Sequence, residues 1–354
     1  MALLFVAGTF YAWNGARNRE DSMAQVSGLV TDQASVDQVL AATVPPDAGS
    51  IPRIRTGVLI HSVEFANSHN VKINGKIWQR YGADLPADVT RGVMLLEADD
   101  ATPLEPFIEY ESHGDEVKVW SFSTTMHQKF DYGDYPLDRQ DIWLRMASPD
   151  PYHPVQLVPD FVAYPPWDPV RLQGLDPGMV LADWKPDYTV FSLQHKDFGL
   201  VRATGLQKTD ELYFNIGVSR GLLGPLLGRI VPVLLLAVLM FLSLFVITTD
   251  PDRRSISGFT AFAIIGFAVS TVLVVAVNDN ATRAEISATG IAYIEWWFFA
   301  LYSMTLIVAL NATLLITGKL APLVTWRENL LPKLVFWPLF TGVMYAATVG
   351  YLGW

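Results

Sequence analysis

The sequence predicts a mixed β + α membrane protein, an extramembrane antiparallel β-sandwich followed by a four-helix transmembrane bundle. Three observations predict it. Four apolar runs follow one another after Arg229: Ile230–Thr248, Ile256–Val277, Ile291–Ile316 and Leu330–Leu352. Between Ile51 and Ser219 apolar and polar residues alternate with period two. The charge is divided, with all of the net −10 lying before Ile230, because six basic and six acidic residues cancel beyond it.

Each apolar run is long enough, at a rise of about 1.5 Å per residue, to cross a hydrocarbon core of about 30 Å. Lipid offers backbone groups no partners, so such runs are helices. The chain is 51% hydrophobic with a mean hydropathy of +0.27. That is too apolar for an ordinary soluble enzyme of its size, and the excess lies in the last third. The acidic balance does not point to a nucleic-acid partner and fits a solvated domain.

Taken in order, the chain opens on Ala2–Trp13, an apolar run of about a dozen residues with no Lys or Arg before it. Three fates are open: a signal-peptide core, a truncated membrane helix, or the upper part of an anchor. Of these, a membrane-associated segment is the expectation. Residues Asn14–Ser50 read as a linker or arm with a helix around Gln33–Ala42 and a turn-rich end. Together they form a first region, 1–50.

The second region, 51–220, reads as a β-domain. Strands are expected at Ile54–Val63, Val71–Trp78, Phe107–Tyr110, Val117–Phe122, Asp141–Arg145, Tyr188–Leu193 and Glu211–Ile216. Turn clusters such as His113-Gly-Asp115 and Asp176-Pro-Gly178 separate them, the pattern of a sandwich.

The third region, 221–354, holds the four helices. The first-to-second loop carries Arg253 and Arg254, and the third-to-fourth carries Lys319, Arg327 and Lys333. The positive-inside rule puts both in the cytoplasm. The β-domain and C-terminus then lie outside, which in a bacterial inner membrane means the periplasm.

Catalytic chemistry is not indicated. The chain has no cysteine, so disulfides and thiolate sites are excluded. The six histidines are scattered without metal-ligand spacing. No Ser/His/Asp order, phosphate-binding glycine loop or cofactor motif is present.

At Phe130-Asp-Tyr-Gly-Asp-Tyr-Pro-Leu-Asp-Arg-Gln-Asp-Ile-Trp-Leu144 the chain resembles the signature loop of the pentameric ligand-gated ion channels, the Cys-loop receptor superfamily, in its cysteine-free bacterial form. Tyr135, Pro136, Leu137, Asp138 and Gln140 fill the pattern's places. Arg220 at the end of the last strand and Pro232 twelve residues on match a second spacing of the family. Physically, Pro136 restricts the loop backbone and favours a cis bond more than other residues do. Asp138 by itself reads as a turn carboxylate. The resemblance implies that it pairs with Arg220 and takes part in gating, since a carboxylate–guanidinium pair is directional.

The resemblance further implies a homopentamer in the lipid bilayer, with the second helix of each subunit lining the pore. One stripe of that helix collects Ile256, Thr260, Ala263, Phe267, Ser270 or Thr271, and Val274. Hydroxyls there can replace part of an ion's hydration, and Phe267 can dewet a closed pore. Small residues such as Ala261 and Ala268 equally suit close packing in a bundle. Asp250 and Asp252 precede the helix, where the family's cation channels place acids, with Arg253 and Arg254 beside them. Where the family has a bulky aliphatic gate this chain has Ala261 or Ala263, which implies either a wider constriction or a gate moved to Phe267 or Ile264. Arg283 and Glu285, in a stretch Asn278–Gly290 read as a loop, are candidate coupling residues. Glu295 is expected to face water.

An agonist, a small molecule or an ion, is implied between β-domains in a cage of aromatic residues. Phe107, Tyr110, Tyr152 and Phe198 are the candidates. The other reading is a non-conducting, membrane-anchored periplasmic solute sensor or scaffold.

Overall fold

The computed structural model describes the chain except for residues 18–22, 24–25, 44–50, 84, 100–106, 151, 180, 196–209, 247–253, 288–289, 318–325, 328 and 354. It divides into two compact units. One comprises Met1–Arg19, Asp131–Asp138 and Gly221–Trp354, and the other Glu20–Phe130 and Arg139–Arg220.

Among the described residues the β-unit holds two five-stranded sheets. Its strands are β1 (Leu29–Val30), β2 (Arg53–Phe65), β3 (Asn70–Tyr81), β4 (Met94–Leu95), β5 (Ile108–Ser112), β6 (Asp115–His127), β7 (Arg139–Ala147), β8 (Gln156–Pro159), β9 (Trp184–Gln194) and β10 (Glu211–Arg220). The first sheet has the order β1-β9-β10-β7-β4 and the second β5-β6-β3-β2-β8. All pairs between neighbouring strands are antiparallel except β2 with β8.

The period-two pattern becomes burial. Along β3 Val71, Ile73, Ile77 and Tyr81 point inward, and along β7 Ile142, Leu144 and Met146 do. The β5–β6 hairpin turns on His113 and Gly114, both at positive φ (54° and 85°), as a tight right-twisting hairpin requires. The seven expected strands are present. The stretch read as a linker adds β1 to the edge of the first sheet and the helix α2 (Gln33–Thr43). A two-residue strand carries no detectable period, and only its pairing with Phe191 and Ser192 defines it.

The membrane unit contains α1 (Ala2–Arg17), α3 (Leu223–Val246), α4 (Arg254–Ile286), α5 (Glu295–Thr317) and α6 (Leu330–Leu352). The last four are long and apolar enough to cross a membrane. A π-helical segment, Leu226–Ile230, lies in the first turns of α3. The protein is a multi-pass membrane protein with a two-sheet β-domain before its spans.

Helix α4 differs from the expected span. It has 33 residues, about 50 Å of helix, and continues through Asn278–Ile286. Those polar residues read as loop because the apolar signal stops at Val277. Along the extension Asn278 donates to the Val274 carbonyl (3.0 Å) and Thr282 to that of Asn278 (2.8 Å), while Arg283 and Glu285 are tied to neighbouring helices. Ser287, at φ 43°, ends it.

Candidate functional site

Two clusters draw chemistry together, one in each unit. In the membrane unit the centre is the segment Asp131–Asp138. The Asp131 carboxylate accepts from Gly133 N (2.9 Å), and two tight turns follow, Tyr135 N to Tyr132 O (3.1 Å) and Leu137 N to Asp134 O (2.8 Å). The Tyr135–Pro136 bond is cis. Tyr135 and Asp138 are both buried, at 1% and 3% exposure. The Gly133 carbonyl accepts from the backbone N–H of Tyr293, just before α5, at 2.8 Å.

Around Tyr293 two ion pairs lock the helix ends. Arg283 of α4 donates to Glu295 Oε2 at 2.8 Å, and Ala292 N donates to the same oxygen at 3.1 Å. Arg229 of α3 donates to Glu285 at 2.8 Å. Arg283 and Glu285, read from the sequence as loop residues, are thus helical and tie α4 to α5 and α3. Glu295, expected in water, is fully buried. Its sequence signal was misleading because an acid at the start of an apolar run suits an interface equally well. Only the fold shows that Arg283 reaches it.

The free face of α4 carries Ala263, Ser270 and Val274, with Phe267 half-buried beside them. Thr271, the alternative to Ser270 in the expected stripe, turns into the bundle at 2% exposure, with Met240 Sδ 3.8 Å away. Ala261 and Ala268 are also buried, as close helix packing uses them. Ile256 and Thr260 lie within α4. Asp250 and Asp252 fall outside the described residues, as does Phe198.

In the β-unit, Phe107 and Tyr110 lie at the edge strand β5, and Tyr152 lies in the loop after β7. Their exposures are 50%, 48% and 82%. The Lys76 ammonium is 5.7 Å from the Phe107 ring centre. Among the described residues no ring contact joins the three aromatics. Arg220 stacks its guanidinium 4.2 Å from the Trp184 ring.

The structure instead gathers a charged and aromatic cluster that the sequence did not single out. On β7 and β10, cross-strand neighbours Arg145 and Tyr213 share one face of the sheet. Arg145 grips Glu211 with two donors, Nε at 2.5 Å and Nη2 at 2.8 Å, and reaches Glu97 at 3.3 Å. Trp143 Nε1 donates to Glu97 (2.6 Å) and Tyr213 OH to Glu211 (3.0 Å). The cluster holds two carboxylates against one guanidinium within a largely buried setting. Period-two spacing of Trp143 and Arg145 was a usable signal, but their carboxylate partners lie 46 to 66 residues away.

Four residues along the same two strands, Asp141 sits opposite Gly217, which is itself opposite Tyr188 on β9. A Cβ on Gly217 would lie 2.0 Å from Tyr188 Cε1. Glycine therefore lets the buried Tyr188 ring cross the strand and donate to Asp141 Oδ1 at 3.3 Å. Burial pushes the Asp141 carboxyl up to about 7, against the lowering effect of that hydrogen bond.

The architecture and the loop–helix contact define a β-domain membrane protein with its spans after the domain, compatible with a pentameric channel fold. Compared with known proteins, the chain matches no family model and no curated sequence.

Proposed function

We propose that the chain is a subunit of a ligand-gated ion channel of the pentameric family. In this reading five copies surround an axis lined by α4, and a small molecule or ion bound by the β-domains opens the path. The observation that carries the reading is the segment Asp131–Asp138. It belongs by packing to the membrane helices and is bonded to Tyr293, whereas the chain before and after it belongs to the β-unit. A free α4 face with Ala263, Ser270 and Val274 supports the pore role. Asp250 and Asp252 support cation preference by their place in the sequence before that helix.

Particle symmetry of the detergent-solubilised protein tests the assembly. Five-fold symmetry with α4 innermost is the expected result, and any other stoichiometry removes the pore assignment. Cation flux from proteoliposomes tests conduction. A sensor without conduction is the second reading, favoured by the apolar exposed residues Phe262, Val269, Leu273 and Val277 on α4. Five-fold particles that pass no ions under any ligand would select it.

A further inference from the structure

We propose that Ala2–Arg17 is a permanent fifth helix of the membrane unit, docked on α6, and that Tyr293 joins it to the Asp131–Asp138 segment. At 16 residues α1 is about 24 Å long, short of a full span. Its packing is nevertheless specific.

One face of α1 presents Phe5, Gly8, Thr9, Ala12 and Trp13, spaced i, i+3, i+4, i+7 and i+8 as a helical stripe requires. Thr9, Ala12 and Trp13 are buried, while Leu3, Leu4 and Phe10 on the other side are 84%, 74% and 63% exposed. Two glycines, one on each helix, open the seat. A Cβ on Gly8 would lie 2.5 Å from Tyr345 Cε2, and a Cβ on Gly342 would lie 3.3 Å from Phe5 Cε2. The Phe5 and Tyr345 rings stack with centroids 5.6 Å apart.

A directed hydrogen-bond chain closes the upper end. Trp13 Nε1, which can only donate, gives its proton to Tyr293 OH at 2.8 Å. The Thr348 hydroxyl donates to the Met344 carbonyl at 2.7 Å. Its one proton is then used, so Tyr293 donates to Thr348 Oγ1 across their 2.8 Å contact. Tyr293 and Thr348 are fully buried, where an unmade hydrogen bond is costly. Removing α1 would take the Trp13 donor from Tyr293 and uncover the Gly342 groove.

Tyr293 also donates its backbone N–H to Gly133. One residue thus carries α1 and α6 on its phenol and the Asp131–Asp138 segment on its amide. Tyr293 is a positioning residue, and α1 acts through it. Neither the docking nor this link requires a conducting pore.

The native absence of cysteine makes the test clean. In full-length protein purified from membranes, peptides covering Ala2–Arg17 are expected by mass spectrometry. The pair Phe5→Cys with Gly342→Cys is expected to crosslink within one chain, and the control Leu4→Cys with Gly342→Cys to crosslink far less. Trp13→Phe keeps an aromatic ring on α1 but removes the indole N–H together with the five-membered ring. It should raise amide hydrogen exchange in Asp131–Asp138 about five-fold, the effect of one lost net hydrogen bond. Tyr293→Phe, which removes the bonds to both Trp13 and Thr348, should raise it at least as much. Absence of the Ala2–Arg17 peptides, equal crosslinking of both pairs, or unchanged exchange in Asp131–Asp138 with Trp13→Phe would each overturn the proposal.

Discussion

Replacing Asp141 with Asn should stabilise the protein above neutral pH and leave it unchanged in acid. Burial raises this carboxyl from its ordinary 3.8 to about 7. Between those values the folded chain holds a proton that the unfolded chain has released. Stability from this group is therefore greatest below about pH 4, falls as pH rises towards 7, and is constant beyond. The gap is about three units, and each unit corresponds to about 1.36 kcal/mol, giving an upper limit of about 4 kcal/mol. Water at the exposed edge of the side chain reduces this to a few kcal/mol. Asn copies the shape of the protonated acid and cannot ionise, so the variant lacks this slope. The assay is thermal unfolding in detergent by tryptophan fluorescence, for both proteins, from pH 4 to 8. The advantage of Asp141→Asn should be near zero at pH 4 and level off above pH 7. An advantage that is independent of pH, or that shrinks as pH rises, would refute the reasoning.

The remaining expectations concern neighbouring features. Gly217→Ala drives a methyl into the Tyr188 ring and should cost about 1–3 kcal/mol. Arg283→Met strands the buried Glu295 carboxylate and should cost about 3–5 kcal/mol, whereas adding Glu295→Leu should recover most of the loss in thermal unfolding. Arg145→Lys should lower stability nearly as much as Arg145→Met, because one ammonium cannot replace the two-donor grip on Glu211. Around Asp150, backbone N–H groups of Thr90, His153 and Tyr152 hold the carboxyl well below its usual range. Hydrogen bonding to Asp150 raises His153. Protease resistance of this loop should fall as acid protonates Asp150 and, separately, as alkali deprotonates His153. Asp150→Ala should remove the acid trend and weaken the alkaline one, because Asp88 also pairs with His153 at 3.1 Å.

By itself the sequence determined the elements whose surroundings are uniform. The four spans were legible because lipid demands the same apolar character along a whole helix. The bounds of α6, Leu330–Leu352, agree residue for residue. The long strands were legible because one sheet face is dry and the other is not, which writes period two into β3 and β7. Pro136 also marked its loop by covalent chemistry alone. Tertiary structure decided whatever depends on a partner distant in the chain. It carried α4 past Val277, buried Glu295 against Arg283, turned Thr271 inward, and gathered Glu97, Arg145 and Glu211. It also gave Ala2–Arg17 a seat on a helix more than 300 residues away. A local pattern records whether a side chain meets water or apolar matter. It does not record which group it meets, and the chemistry of this protein rests on those pairings.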